Sequence, residues 1–302
     1  VEKVLLIANP SAGSVSKAIR EVIVKALEAD FKLEVADTRA RNHAQELSED
    51  AVDRDFDAVI AFGGDGTVNE VAQGLVGTDV ALGILPGGST NVMARSLGIP
   101  RDPIEATAYL GHRLRSRSRR TINVGRVDER YFLFCSGMGL DAEVVKRVEA
   151  DPEAKRTHRE RFFISNALKA AFFDYRGKDP MITMQVEGHE PEKVVLAVCC
   201  NAWPFTFLSR FPVDVTPQVR LDGGLDAFGL RRIRTATIPR VAWSILVSRS
   251  HPRWKHGDYH HDISGLVLKA DRPLPVQVDG DYIGERDSAH IELLRDALHL
   301  VV

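Results

Sequence analysis

The sequence predicts an α/β, three-layer N-terminal domain followed by a larger, mainly antiparallel β-sandwich domain. Three observations carry this expectation. Strands and helices alternate regularly through the first third of the chain, short strands separated by turn residues dominate afterwards, and a length of 302 residues suits two ordinary domains better than one.

Lys3 to Asn9 reads as a buried strand, followed by the turn NPSAGS and an amphipathic helix from about Ser16 to Ala29 with Ile19, Val22, Ile23 and Leu27 on one side. Lys32 to Ala36 alternates as a second strand, and a polar helix follows from about Asn42 to Val52. DAVIAF is a third strand, TVNEVAQGLV a helix and VALGILP a fourth strand. This alternation implies crossovers feeding a mostly parallel sheet, in a domain spanning residues 1–121. After a helical segment through Ala108 the pattern changes. TINVGRV, YFLFCSGM, MITMQVEG, KVVLAVCC, LDAFGLRRI, DISGLVLKA and LPVQVDG read as short strands, and SAHIELLR as a closing one. Two helical candidates, ERFFISNALKAAFFDY and IPRVAWSILVSR, interrupt a β-rich domain expected over residues 122–295. The tail 296–302 is expected to rejoin the first domain, and the two domains to abut with a cleft between them.

Composition narrows the function. A formal charge of -2 and a pI near 6.6 give no basic excess for binding nucleic acid. Cys135, Cys199 and Cys200 lack paired metal spacing and sit in apolar runs, as buried reduced thiols do. The start VEKVLLIANP has no secretory layout, and its first residue, Val, points to an absent initiator Met or leading segment. The longest uncharged run, Val194 to Ser209, has 16 residues, short of the ~20 a spanning helix needs. The expected location is the cytoplasm, with peripheral contact at the inner face of the membrane.

The loop Gly63-Gly64-Asp65-Gly66-Thr67 follows an apolar strand, where open α/β sheets bind ligands. Its glycines let backbone N–H groups face a phosphate, and the next helix presents its amino end to negative charge. A bare Asp65 would repel phosphates, a conflict that a bridging Mg²⁺ resolves. Asn69 and Glu70 begin the helix and suit the cation, its waters, a ribose or ordinary capping. Asn9-Pro10-Ser11-Ala12-Gly13 and Leu85-Pro-Gly-Gly-Ser89-Thr-Asn91 follow the first and fourth strands, so three small-residue loops gather at one sheet edge. That reads as a nucleotide site without a P-loop or a GxGxxG fingerprint, while the pentapeptide alone also reads as a tight turn with a helix-capping Asp or Thr.

These motifs resemble the diacylglycerol kinase catalytic-domain family, especially bacterial soluble lipid kinases related to sphingosine kinases. NPSAG, GGDGTVNEV, LGILPGGSTNVMARSLGIP, SGMGLDAEV, LDGGLDAF and VQVDGD occur in order across almost the whole chain. GGDG alone also occurs in NAD kinases and related phosphofructokinases. The longer middle motif and the C-terminal pair are more specific.

The resemblance implies ATP-dependent phosphoryl transfer onto a lipid alcohol, with ATP between the two domains. By motif matching, Asn9, Pro10, Ser11, Ala12, Gly13, Thr38, Gly64, Asp65, Gly66, Thr67, Val68, Asn69, Glu70 and Ser89 would line the nucleotide site. The family's PxGTxN stands here as Pro86-Gly-Gly-Ser-Thr-Asn91, with a hydroxyl kept and a methyl lost at Ser89.

Asp279-Gly280-Asp281 by itself reads as a β-hairpin turn. In the family it is DGE, whose Asp accepts the proton of the lipid hydroxyl, which makes Asp279 the expected base. Asp281, one methylene shorter than the family's Glu, is expected to support it. Asp222 with the backbone oxygens of Leu225 and Ala227 resembles a magnesium site away from the phosphates; an Asp-Gly turn explains the same residues. Asn123 stands where relatives often have Asp. Gly139, Asp141 and Glu143 lie in the middle motif without a role from spacing alone.

The aromatic runs RFFISNALKAAFFDY and NAWPFTFLSRF suit either a lipid-facing rim or a core, and Arg113 to Arg120 either an anionic-membrane surface or a solvated connection. Expected partners are a diacylglycerol-like amphipathic lipid and, transiently, an anionic membrane surface. A homodimer is kept open without a sequence signal for it. Two other functions stay open: an NAD kinase, and a nucleotide-dependent lipid-binding protein without transfer.

Overall fold

The computed structural model describes residues 2–13, 15–151, 165–167, 169–170, 175, 177, 179–233, 240, 243–254 and 256–302. The chain forms two compact units, Val1–Val124 with Leu294–Val302, and Gly125–Leu293. It changes unit inside two strands, Arg119–Val127 and Asp281–Val301.

The first unit contains β1 (Lys3–Ala8), α1 (Lys17–Glu28), β2 (Lys32–Asp37), α2 (His43–Asp53), β3 (Ala58–Gly63), α3 (Asp65–Leu75), β4 (Ala81–Pro86), α4 (Val92–Ser96), α5 (Pro103–Arg115) and the first part of β5 (Arg119–Val127). Parallel pairing orders its sheet β2-β1-β3-β4, with Leu300 of the C-terminal segment set parallel beside Leu82 of β4. Every residue of β3 and β4 is buried, which is why these strands read as unbroken apolar runs. α1 packs with α5 and α2 with α3, giving two helical layers over the sheet.

Local chemistry sets the helix starts. Ser16 caps α1 by accepting the Ile19 amide, and Asp102 caps α5 by accepting those of Ile104 and Glu105, with Pro103 as the first helical residue. α5 runs past Ala108 to Arg115 because Leu110 and Leu114 continue its buried stripe.

The second unit holds β6 (Arg130–Phe132), β7 (Cys135–Gly139), α6 (Leu140–Glu149), β8 (Ile182–Val186), β9 (Glu192–Val194), β10 (Leu196–Cys200), β11 (Thr206–Leu208), β12 (Phe211–Val213), β13 (Leu225–Leu230), β14 (Gly257–Ile263), β15 (Gly265–Val278) and most of β16 (Asp281–Val301). Its pairing is antiparallel along β14-β13-β10-β7-β15-β16. β15 is one strand where the sequence reads as two. Its first half pairs with β8 and its second with β7, and a register shift between Lys269 and Leu274 absorbs the Asp-Arg-Pro interruption. The bent sheet closes on one core in which Ile182, Met184, Val186 and Val194 meet Met138, Cys199, Leu266, Leu274 and Val276.

Two further departures from the sequence reading have local causes. YFLFCSGM is broken at Leu133–Phe134, whose amides bond a side chain instead of a neighbouring strand. The stretch after SGMG is a helix, α6, with Ala142, Val144, Val145 and Val148 buried. Of the expected helices, 160–175 falls mostly outside the described residues; within 238–249, Ser244–Ser248 is a π-helical segment. No described helix is long and apolar enough to cross a membrane.

Candidate functional site

In the first unit, backbone bonds tie together the loops at the carboxyl ends of the parallel strands. The Asn9 amide donates to the Phe62 carbonyl at 2.9 Å, that of Thr38 to Ala8 at 2.9 Å and that of Gly87 to Gly63 at 2.7 Å. Asn9 also donates through Nδ2 to Thr67 Oγ1 at 3.0 Å and accepts the Ser11 amide at 3.0 Å, an Asx turn that shapes the loop holding Pro10, Ala12 and Gly13. A Cβ on Gly88 would stand 2.7 Å from the Gly64 Cα, so only glycine lets the loops after β3 and β4 approach this closely.

Gly64 precedes α3 in extended backbone and supplies no side-chain cap to the helix start. Asp65 is half-buried and accepts the Met93 amide at 3.2 Å, linking the starts of α3 and α4. Asn91, in the left-handed region at φ 48°, accepts the Gly88 amide at 2.9 Å and donates to the Gly88 carbonyl at 2.8 Å. It folds the turn that leaves Ser89 exposed, a role visible only in the structure.

Other members of the expected set also make contacts within the fold. Val68 and Asn69 are buried in α3, Asn69 accepting from Gln73 at 3.1 Å. Glu70 accepts the Ala44 amide at 3.2 Å in the first turn of α2, whose own N-cap residue, Asn42, makes no side-chain capping bond.

Asp279 and Gly280 form the turn between β15 and β16, with φ of 49° and 80°, the pattern of a type I′ hairpin. The Asp279 side chain is nonetheless buried. Its Oδ2 accepts the Leu133 amide at 2.7 Å, and its Oδ1 accepts those of Phe134 at 2.9 Å and Cys135 at 3.0 Å. Asn201 holds the other side of this segment, donating through Nδ2 to Leu133 at 3.0 Å and through its amide to Phe134 at 2.9 Å. Asp281 is half-buried beside it.

Behind the turn Asp141 of the middle motif meets Gln277, a residue the sequence did not single out. Gln277 donates through Nε2 to Asp141 Oδ2 at 3.0 Å and accepts the Gly280 amide through Oε1 at 2.9 Å. Burial pushes the Asp141 carboxyl up to about 6, with bonds from Gln277 and the first-turn amides of α6 opposing it. A folded-state value above the ordinary 3.8 means that ionising Asp141 lowers stability as pH rises from 3.8 to about 6.

Asp222 is exposed and forked by Arg220, with Nε at 3.1 Å and Nη2 at 3.3 Å. Leu225 and Ala227 lie in β13, where the register to β14 shifts between them. The buried acid of this motif is Asp226, which accepts from His261 Nδ1 at 2.7 Å, the Asp262 amide at 3.0 Å and the Tyr259 hydroxyl. No cluster of three or more His, Cys, Asp or Glu suited to a metal occurs among the described residues.

Asn123 is buried and accepts the Asp296 amide at 2.9 Å. In the run Arg113 to Arg120, Arg115 pairs with Asp30, Arg117 and Arg119 with Glu2, and Arg113 stacks on Tyr109, so much of its charge is met within the first unit.

Comparison with known proteins fits this geometry. Residues 3–127 match the family described as Diacylglycerol kinase catalytic domain. A protein named diacylglycerol kinase from Bacillus subtilis (strain 168) is 35% identical over 148 residues, 48% of this chain and 48% of that protein, so the chain spans about half the length of that relative. Another of the same name, from Staphylococcus saprophyticus subsp. saprophyticus, is 29% identical over 291 residues, 93% of this chain and 89% of that protein. A crystal structure of a Bacillus anthracis str. Sterne protein, 25% identical, superposes with a TM-score of 0.80 over 99% of this chain and 95% of that one. Over residues 3–127 the chain is thus similar to the diacylglycerol kinase catalytic domain.

Proposed function

We propose that the protein is a lipid kinase transferring the γ-phosphate of ATP to the hydroxyl of a diacylglycerol-like lipid. The observation that carries this reading is the bonding of three loops, after β1, β3 and β4, around the start of α3 and Asp65. Such a cradle of backbone amides and a helix start suits phosphate groups. Asn9 to Gly13, Thr38, Gly64 to Glu70 and Ser89 would line the nucleotide site.

Asp65, a hard oxygen donor at this cradle, fits a Mg²⁺ that arrives with ATP. Bound there, the ion would neutralise charge on the transferring oxygens. In the second unit Asp279 is the proposed acceptor of the lipid hydroxyl's proton, with Asp281 in support. A carboxylate is a weak base toward an alcohol, so the proton leaves late, together with transfer of the phosphoryl group. The three amides on Asp279 hold its carboxylate in one orientation.

The acceptor class is supported by the relatives named diacylglycerol kinase. Purified protein is expected to move labelled phosphate from ATP to diacylglycerol, and Asp65→Ala to lose about 100-fold or more in rate. Transfer to NAD but to no lipid, or undiminished transfer by Asp65→Ala, overturns the reading.

Asp279 also anchors its turn, so Asp279→Ala is expected to lose stability along with transfer. Leaving three buried amides without their acceptor should cost about 3 kcal/mol, measured by urea unfolding. A loss below about 0.5 kcal/mol would show that the amides find other acceptors.

A metal position at Asp222, Leu225 and Ala227 is a further proposal. A divalent ion would displace Arg220 from an exposed pair, at little energetic cost. Mg²⁺ is then expected to raise Tm in the wild type and not in Asp222→Asn; equal responses refute the site.

Membrane contact is proposed at a different place from the arginine run. Trp203 (37%), Phe211 (56%), Trp243 (62%) and Val247 (56%) are exposed in the second unit. Arg249 lies over Trp203 and Arg210 over Phe211, an aromatic and cationic combination suited to an anionic interface. Vesicles containing phosphatidylglycerol should sediment the protein, and Phe211→Ser with Trp243→Ser should reduce this. Equal sedimentation of the variant, or none of the wild type, removes the proposal.

A further inference from the structure

We infer that Gln277 is a positioning residue for the reaction proposed above: its side-chain amide couples the buried carboxyl of Asp141 to the Asp279-Gly280-Asp281 turn. Gln277 is 1% exposed on β15, and its cross-strand partner on β7 is Gly137. A Cβ at Gly137 would stand 2.0 Å from Asp141 Oδ2, so the missing side chain makes the space that the carboxyl occupies. Nε2 points one bond to Asp141 at 3.0 Å and lies 3.7 Å from Cys135 Sγ, while Oε1 takes the Gly280 amide at 2.9 Å.

Only one orientation of the amide satisfies both ends. Turned over, its oxygen would face the Asp141 carboxylate and its NH₂ would face the Gly280 N–H. The charge on Asp141 therefore selects the orientation that holds the turn. Once protonated, Asp141 presents an O–H donor that competes with Gly280 for Oε1.

Other titratable groups stand near this cluster. Cys135 on β7 and Cys200 on β10 have thiols raised by burial, and Asp279 in the turn is held by three amides. On α6 itself, Glu143 is paired with Arg147. Asp141, at about 6, changes its charge near working pH. A glutamine serving only to fill the core would hold Gly280 equally at every pH.

The test follows the ¹⁵N–¹H resonance of the Gly280 amide in the full chain between about pH 5 and 8. In the wild type it should titrate with a midpoint near 6, and Asp141→Asn should abolish that step. Gln277→Met should leave Asp141 titrating while Gly280 no longer follows. A Gly280 resonance that is flat in the folded wild type, or that titrates alike in Gln277→Met or Asp141→Asn, overturns the coupling. The near-isosteric Asp141→Asn keeps the test open if Gln277→Met does not fold.

Because the resonance needs no substrate, its outcome stands apart from whether lipid is phosphorylated. Where transfer is measured, Gln277→Met should lower kcat about tenfold and leave KM for ATP unchanged.

Discussion

Three consecutive backbone amides, of Leu133, Phe134 and Cys135, converge on the carboxylate of Asp279, and much of the second unit's order depends on that convergence. Charge-assisted bonds of this kind are stronger than neutral ones, and here they replace the ladder bonds that would have continued a strand. The strand consequently breaks between β6 and β7. The Asp279 amide in turn donates to the Cys135 carbonyl at 2.8 Å, so turn and segment hold each other in both directions. An Asp-Gly hairpin, ordinarily a surface feature, becomes a buried anchor with a defined orientation.

The first unit reaches its order differently. Its loops are joined mainly by backbone bonds between the carboxyl ends of neighbouring parallel strands, with glycine and asparagine allowing the close passages. Side chains that would crowd this edge are absent from the sequence. The nucleotide proposed there would therefore face small residues, and much of its recognition would fall to N–H groups whose positions the sheet dictates.

The strand–helix alternation of the first unit was legible because each element carries its own signal: apolar runs for buried strands, Ser16 and Asp102 as caps, small residues at the turns. The motifs located the acidic turn as well. The partners of its acids were not legible. Gln277 and Asp141 are 136 positions apart, and their meeting depends on a cross-strand glycine whose register only the folded sheet reveals. Asp226 was hidden for a similar reason. Asp222 and Asp226 look alike in LDGGLD, yet one is exposed beside Arg220 and the other is buried among Tyr259, His261 and the Asp262 amide. The missed helix α6 begins directly at a strand end, at Gly139 with φ of 94°, without the Ser, Thr, Asp or Asn that marks a helix start in sequence.

Acid and amide side chains are interchangeable at some positions of this chain and not at others, and the number of donors they face decides which. Asn123 accepts the Asp296 amide through its side-chain oxygen, a bond that a single carbonyl oxygen makes as well as a carboxylate would. At Asp279 three N–H groups approach two oxygens from one segment. An asparagine there has one accepting oxygen and an NH₂ that must face at least one of those donors, so the position demands an anion for geometric reasons before any catalytic one. The amide at Asn123 thus keeps this bond, whereas the acid at Asp279 is required by the fold that presents it.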